Sequence, residues 1–484
     1  MKINQTINKT PYFQVLTEDQ VEMIYNAALD VVETTGGRFY HEEALKLFEQ
    51  SDAVVTDENL VRIPASLVNQ ALRSHPTKIT LTGRNGKRSV KMEKNVVTFG
   101  TGSDQPFAHD HKTGERRPST YQDVADASKF VDYLKNLDFL MSHGIVRDVP
   151  NSKIYDRHQF LAMIENCGKP MIVTAVDGDG LKDQWEMANL IRGGEKEFRL
   201  HPLFAVYMEP SSPLKHSKEA VEKLLFAAEK GIPSVYTPCP SAGATSPATI
   251  PGMLVQSLAE TLQASVLSYL KKPGMPLIMG GVVTVLDMMT SAYSYGAPEL
   301  SLASAAFTDV AKHLDLLMFS TGGCTDSKIL DEQAAAEATT SLFYAFLSGA
   351  NLIHDVGYLD SGLTASLQTL VMCDEIIGMI RQIGKGINTE DEYLAWQVID
   401  EVGPGGEYLT HEHTYKYWKE WFMPKLQDRA DYETWIAEGE KTMNDLVAEE
   451  TDRILKEYEP EPLDEKIHQE MKKIIDRAEK KHAA

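Results

Sequence analysis

The stretch IPSVYTPCPSAGATSPATIPGMLVQSLAETLQASVLSYLKKPGMPLIMGG, residues 232–281, decides the fold. It opens on a short β-branched and aromatic run, crosses a long loop rich in Gly, Pro and Ser, and continues as an amphipathic helix. A tight turn at 272–274 then leads into a second apolar run. Met253, Leu254, Leu258, Leu262, Val266 and Leu270 share one side of a 3.6-residue repeat, so the helix can cover a sheet. The flanking runs PSVYTP and PLIMGG show no polar alternation, as expected of parallel strands buried on both faces. A crossover of this length joins parallel neighbours and is right-handed almost without exception.

The same unit recurs along the chain. Apolar runs stand at 96–100, 139–143, 171–175, 203–208, 234–237, 277–280, 316–319 and 351–355. Each is followed by a polar or Gly-rich loop and a helical pattern, for example over 218–229 and 330–347. Eight such units match the rhythm of a (β/α)8 TIM barrel, with a doubly wound open sheet as the competitor because periodicity does not report closure. The loops after the strands are long and chemically varied, whereas those before them (EKGIP, KKPGMP, LSGAN) are short and plain. Function is therefore expected at the C-terminal ends of the strands. The expected division is an N-terminal helical and mixed cap over 1–92, a barrel over 93–387 and a C-terminal helical extension over 388–484. The cap opens with a capping box at Thr17 and Gln20, and the charged last thirty or so residues are expected as a solvated arm or an oligomer contact.

Composition bounds the partners. With 70 acidic against 48 basic residues in 484, the formal charge is -22, which disfavours nucleic acid and anionic membrane surfaces. The four cysteines, Cys167, Cys239, Cys324 and Cys373, form no CxxC pair and fit a reducing compartment. No apolar run is long enough to span a bilayer, and the N-terminal MKINQTINKTPYF lacks a signal-peptide core, so the expected location is cytoplasmic. His109 with His111 and His411 with His413 form HxH pairs without a third convergent ligand, so no metal is expected. GTGSD at 100–104 and GPGG at 403–406 lack the context of nucleotide loops and read as turns.

Four segments together carry a resemblance: the opening unit; STGGCTDSKILDEQAAAEATTSLFYAFLSGANLIHDVGYL; LVMCDEIIGMIRQIGKG; and VGPGGEYLTHEHTYKYW with its trailing PKLQDRADYETW. They resemble the trimethylamine methyltransferase family of corrinoid-dependent enzymes, over nearly the whole chain. The resemblance implies a barrel that moves a methyl group from a methylated amine to the cobalt of a corrinoid (cobalamin) carried by a separate protein. Trimethylamine-specific members carry pyrrolysine. This chain is written in the twenty standard residues, so the resemblance points to the branch that uses quaternary amines such as glycine betaine, proline betaine or carnitine. The nearest match to a corrinoid-holding D-x-H-x-x-G motif, DRHQFL at 156–161, has leucine in place of glycine and reads as helix. No corrinoid is therefore expected to belong to the chain itself. The partners expected are the amine, the corrinoid protein and further copies of the chain.

On this reading the site residues follow from strand ends. His354 and Asp355 end the eighth strand, and Glu209 ends the fourth on the same side as Tyr207. Tyr207, Tyr236, Phe319 and Tyr358 are candidates for an aromatic cage around a trimethylammonium head. For a betaine carboxylate, the candidate donors are His354, Arg147, His143 or loop backbone N–H groups. Asp326, Asp331 and Gln333 read first as helix-capping groups. No nucleophile and base stand together, and no cysteine is expected to be catalytic. The rival readings are a barrel lyase or isomerase using His354 and Asp355 as acid and base, and a betaine-binding protein without catalysis.

Overall fold

The computed structural model describes residues 12–482; the first eleven residues of the expected cap and the last two of the chain lie outside them. Seven parallel strands, Thr98–Thr101, Met171–Val173, Phe204–Met208, Ser234–Tyr236, Leu277–Gly280, Met318–Thr321 and Leu352–Val356, form one sheet. Its two edges are the strands at 98–101 and 171–173. Each is bridged in parallel to the segment at 139–140, through Gly100 to Phe139 and Leu140 to Met171, and this closes a (β/α)8 barrel. The second strand is thus shorter than the expected 139–143. His143 adopts a left-handed backbone with φ 57° and turns the chain away from the sheet.

Alternation along the strands sorts the core into two layers. Phe139, Met141, Ile172, Ala205, Val235, Ile278, Leu317, Phe319 and Leu352 pack inside the barrel. Neighbours such as Leu140, Val173, Val206, Tyr236, Met279 and Ile353 pack outward against the helices. The floor of the barrel is a hairpin of Lys78–Thr82 and Ser89–Glu93, whose Ile79, Leu81, Val90 and Met92 join the inner cluster. With the N-terminal end plugged, ligand access is left to the C-terminal ends of the strands.

The helix Ile250–Lys271 buries residues on more than one face. Glu18–Asp30, Glu42–Glu49 and Ala65–Ser74 pack over its outer side, so its polar groups need internal partners. Glu260 accepts from the Ser212 hydroxyl at 2.8 Å and the Leu214 amide at 2.9 Å, and Gln263 meets His216 at 2.7 Å. The helix Glu332–Ser348 starts where Asp331 accepts from the Ala334 amide, the cap its sequence suggests, and ends at Gly349 in the left-handed region.

The terminal segment corrects the expectation of a solvated arm. Its last helix, Glu465–His482, buries Met471, Ile475 and Ala478, a stripe at spacings of four and three. It packs on Gly178–Arg192, held by Arg477 to Asp183 and Glu186 and by Lys481 to Asp179. The short helices Asp391–Leu394, Trp396–Val402, Glu412–Tyr417 and Tyr432–Ala437 bury nothing and expose Trp396, Tyr415 and Tyr432, and Leu409 and Trp421 are exposed in the segments between them.

Candidate active site

At the C-terminal ends of the strands lies a cavity of about 530 Å³. Five tyrosines line it: Tyr155, Tyr207, Tyr293, Tyr295 and Tyr358. Interleaved with them are the carboxylates Asp104, Glu209 and Asp355, of which Glu209 is exposed, with Glu219 exposed at the rim. The positively charged or chargeable groups in the wall are Lys223 and His354. The wall is therefore aromatic with a surplus of acid, the composition that attracts a cation lacking N–H donors.

Of the residues singled out in the sequence, His354, Asp355, Glu209, Tyr207 and Tyr358 are brought together here. Asp355 directly follows His354, and its backbone has φ 73°, which turns its side chain back toward the same mouth. Its Oδ2 accepts from the Thr321 hydroxyl at 2.6 Å and lies 3.2 Å from His354 Nε2. The ring's other nitrogen, Nδ1, is 2.8 Å from the Ser320 carbonyl, which only accepts, so Nδ1 carries a proton. Burial raises the Asp355 pKa, and the His354 ring offsets this in part. On the opposite strand Tyr207 donates to Glu209, and the Cys239 thiol lies 3.3 Å from the same carboxylate. Phe319 packs beneath: its ring is 4.0 Å from that of His354 and 5.7 Å from that of Tyr207, forming a support for the wall and not its surface.

Three expected binding residues stand elsewhere. Tyr236 points outward, its hydroxyl 2.6 Å from His216 Nδ1, because Val235 holds the inward position in that strand. His143 is buried behind Tyr358 with rings 5.8 Å apart, outside the cavity wall. Arg147 is exposed, its guanidinium 5.9 Å over the Phe107 ring. Asp326, read as a cap, ties loops together by accepting from the Tyr295 amide at 2.7 Å and the Ser361 hydroxyl at 2.8 Å. Gln333 donates to Glu337 at the surface.

The structure adds Asp104, Tyr155, Lys223, Tyr293 and Tyr295 to the site. Tyr293 and Tyr295 come from the excursion after strand six. There Ala292–Ser294 folds back antiparallel on Thr284–Asp287, and two rings two positions apart share a face. That spacing was the available signal. Tyr293 donates to the Cys239 carbonyl at 2.8 Å and Tyr358 to the Ser103 carbonyl at 2.8 Å, which fixes both rings. Asp104, in the loop that follows the strand Thr98–Thr101 and not in a turn over 100–104, accepts from Gln159 at 3.0 Å, and burial raises its pKa. Tyr155 opens a barrel helix, and nothing in its local pattern marks it.

The phenols of Tyr207, Tyr295 and Tyr358 are pushed well up by burial and by neighbouring negative groups, so they stay neutral. Burial likewise raises the thiols of Cys239 and Cys324 well above their ordinary range, which leaves neither as a ready nucleophile. Among the described residues no group of three or more His, Cys, Asp or Glu is placed to hold a metal ion, and no helix is long and apolar enough to cross a membrane. The cavity can bind and orient a cation.

Comparison with known proteins gives the family and the likeness of fold. The profile of the family described as trimethylamine methyltransferase (MTTB) matches residues 1–483. The trimethylamine methyltransferase MttB of Desulfitobacterium hafniense is 33% identical over 464 residues, covering 96% of this chain and 93% of that protein. A glycine betaine methyltransferase of Desulfitobacterium hafniense is 31% identical over 470 residues, covering 96% and 97% respectively. Among solved structures, the monomethylamine methyltransferase MtmB of Methanosarcina barkeri superposes with a TM-score of 0.53 at 13% identity, covering 97% of this chain and 88% of that one, a likeness of fold.

Proposed function

The chain belongs to the trimethylamine methyltransferase family and is a methyltransferase; from that premise we propose that it takes a methyl group from a quaternary amine, glycine betaine foremost, and passes it to the Co(I) corrinoid of a separate protein. One observation carries the choice of substrate class: the cavity wall of five tyrosines and three carboxylates at the barrel mouth. A quaternary ammonium offers no N–H to a hydrogen-bonding site and is recognised by ring faces and by charge, both of which this wall supplies.

The chemistry asks little acid or base work of the chain. In-line displacement at a methyl carbon of a quaternary ammonium expels a neutral tertiary amine, so the leaving group needs no proton. A tertiary amine substrate would first have to be protonated. The chain's tasks are then to hold the cation, to aim one methyl out of the mouth, and to keep the site dry. Asp355, Glu209 and Asp104 supply counter-charge, and Tyr155, Tyr207, Tyr293, Tyr295 and Tyr358 supply ring faces. His354, with Nδ1 held by the Ser320 carbonyl, orients Asp355. The corrinoid enters as a co-substrate from outside, docking over the open mouth, and supplies the nucleophile. Apolar side chains exposed over 391–436 suit contact between copies of the chain, so we read the working form as a cytoplasmic homo-oligomer.

The test is a spectroscopic assay of cob(I)alamin methylation with glycine betaine, proline betaine, carnitine and trimethylamine in parallel. The reading expects turnover of a betaine and none of trimethylamine. Turnover of trimethylamine alone overturns the substrate, and turnover of carnitine or proline betaine alone corrects which betaine is used.

A further inference from the structure

The cavity's charge is unevenly placed. Ser217, the N-cap of the helix Lys218–Lys230, and Ala220 and Lys223 within it follow at spacings of three and line one side of the cavity. Lys223 Nζ donates to the Ala175 carbonyl at 2.7 Å, which leaves two of its three N–H groups for other partners. Glu209, Asp156, Asp104 and Asp177 all influence it electrostatically, yet among the described residues no carboxylate stands within ion-pair distance, 4.0 Å, of its ammonium. Burial lowers its pKa, and these four acids offset that in part. The donors that the sequence offered for a substrate carboxylate, Arg147 and His143, lie off the cavity, and His354 is committed at Nδ1 to Ser320 and faces Asp355 with Nε2.

We infer that Lys223 binds the carboxylate of the substrate, so that the cavity selects a zwitterion, with its cationic head among the tyrosines and acids and its carboxylate at the helix Lys218–Lys230. This rests on the quaternary-amine reading above and adds its specificity determinant. The first turn of that helix lies on the same wall, and its positive end adds to the attraction. Glu219 of the same turn is exposed at the rim, where water screens it. A plain cation such as tetramethylammonium gains nothing from Lys223 and is repelled by it.

Calorimetric binding of glycine betaine and of tetramethylammonium to the full chain, wild type and Lys223→Met, separates the roles. The expected result is a Kd for glycine betaine raised 30-fold or more in the variant, with tetramethylammonium bound as tightly as before or more tightly. Binding of tetramethylammonium doubles as the control that the variant is folded. Should Lys223→Met fail to fold, the wild type alone decides: glycine betaine must outbind choline, which carries an alcohol in place of the carboxylate, by at least 30-fold. Equal loss of both ligands in the variant, or wild-type betaine and choline affinities within threefold, overturns the inference while leaving the cation site standing. Wild type that binds no quaternary ammonium at all overturns the reading on which the inference rests, and the inference with it.

Discussion

Asp355→Asn removes one negative charge from the cavity and almost nothing else. The φ of 73° at this position is one that asparagine tolerates better than most residues, so the backbone is preserved. The introduced amide oxygen can take the place of Oδ2, which accepts from the Thr321 hydroxyl at 2.6 Å and lies 3.2 Å from His354 Nε2. The loss is therefore electrostatic. A trimethylammonium nitrogen held about 5 Å from the carboxylate, near the limit set by its methyl shell, is stabilised by about 3 kcal/mol at an effective dielectric constant of about 20. That corresponds to about 150-fold in Kd. Calorimetric titration with tetramethylammonium at pH 8, where ionisation of Asp355 is most complete, reads it directly. The pH dependence follows with a definite sign. Burial raises the Asp355 pKa and only the ionised form attracts the cation, so wild-type affinity falls as pH drops through that raised pKa. In the variant this part of the slope is gone, and what remains belongs to Asp104, whose pKa burial also raises. A variant Kd within threefold of wild type, with the pH slope intact, would refute the assignment of Asp355 as counter-charge.

Tyr295→Leu removes a ring from the cavity wall and should weaken quaternary-ammonium binding by about 2- to 30-fold, the range of one cation–π contact, whereas Tyr295→Phe should stay within about twofold because the ring remains. Tyr236→Phe deletes the hydroxyl that meets buried His216 and should lower unfolding free energy in denaturant by about 1–3 kcal/mol, with ligand Kd unchanged since the side chain faces away from the cavity. Burial pushes both His143 and His216 down to about 4. The unfolded chain binds those protons near pH 6.5 and the folded chain does not. Unfolding free energies from denaturant titration should therefore hold above pH 6.5 and fall between 6.5 and 4, by up to about 3 kcal/mol for each histidine; a flat profile across that window would contradict the burial account.

The barrel was legible because its strands are buried on both faces and so read as uninterrupted apolar runs. The same property hid which face each residue takes: in SVY, Val and Tyr are equally at home inside, and the register that sends Val235 into the barrel sends Tyr236 out to His216. Tyr207 and Glu209 escaped that ambiguity, since a carboxylate at the strand's end can face only the mouth and alternation carries Tyr207 with it. The floor hairpin was read as part of a cap. Ile79, Leu81, Val90 and Met92 alternate as in any half-buried hairpin, and nothing local says that the face they meet is the barrel's interior. The second strand was drawn too long because apolar character continues through Met141 while the backbone has already turned at His143. Lys223 was invisible for a different reason. A lysine inside KEAVEKLLFAAEK looks like the solvated face of an amphipathic helix, and only the position of the loop at 174–175 turns it into the wall of a cavity.

The central claim is that this chain transfers a methyl group from a quaternary amine to Co(I). Glycine betaine labelled with deuterium on its N-methyl groups, incubated with the purified chain and cob(I)alamin under anaerobic conditions and analysed by mass spectrometry, tests it most directly. The account predicts cobalamin carrying a trideuteromethyl group and dimethylglycine in equal amounts, both dependent on the chain and on the Co(I) state. Dimethylglycine formed without cob(I)alamin, or no label reaching cobalt from any quaternary amine while wild-type chain binds them, would contradict it.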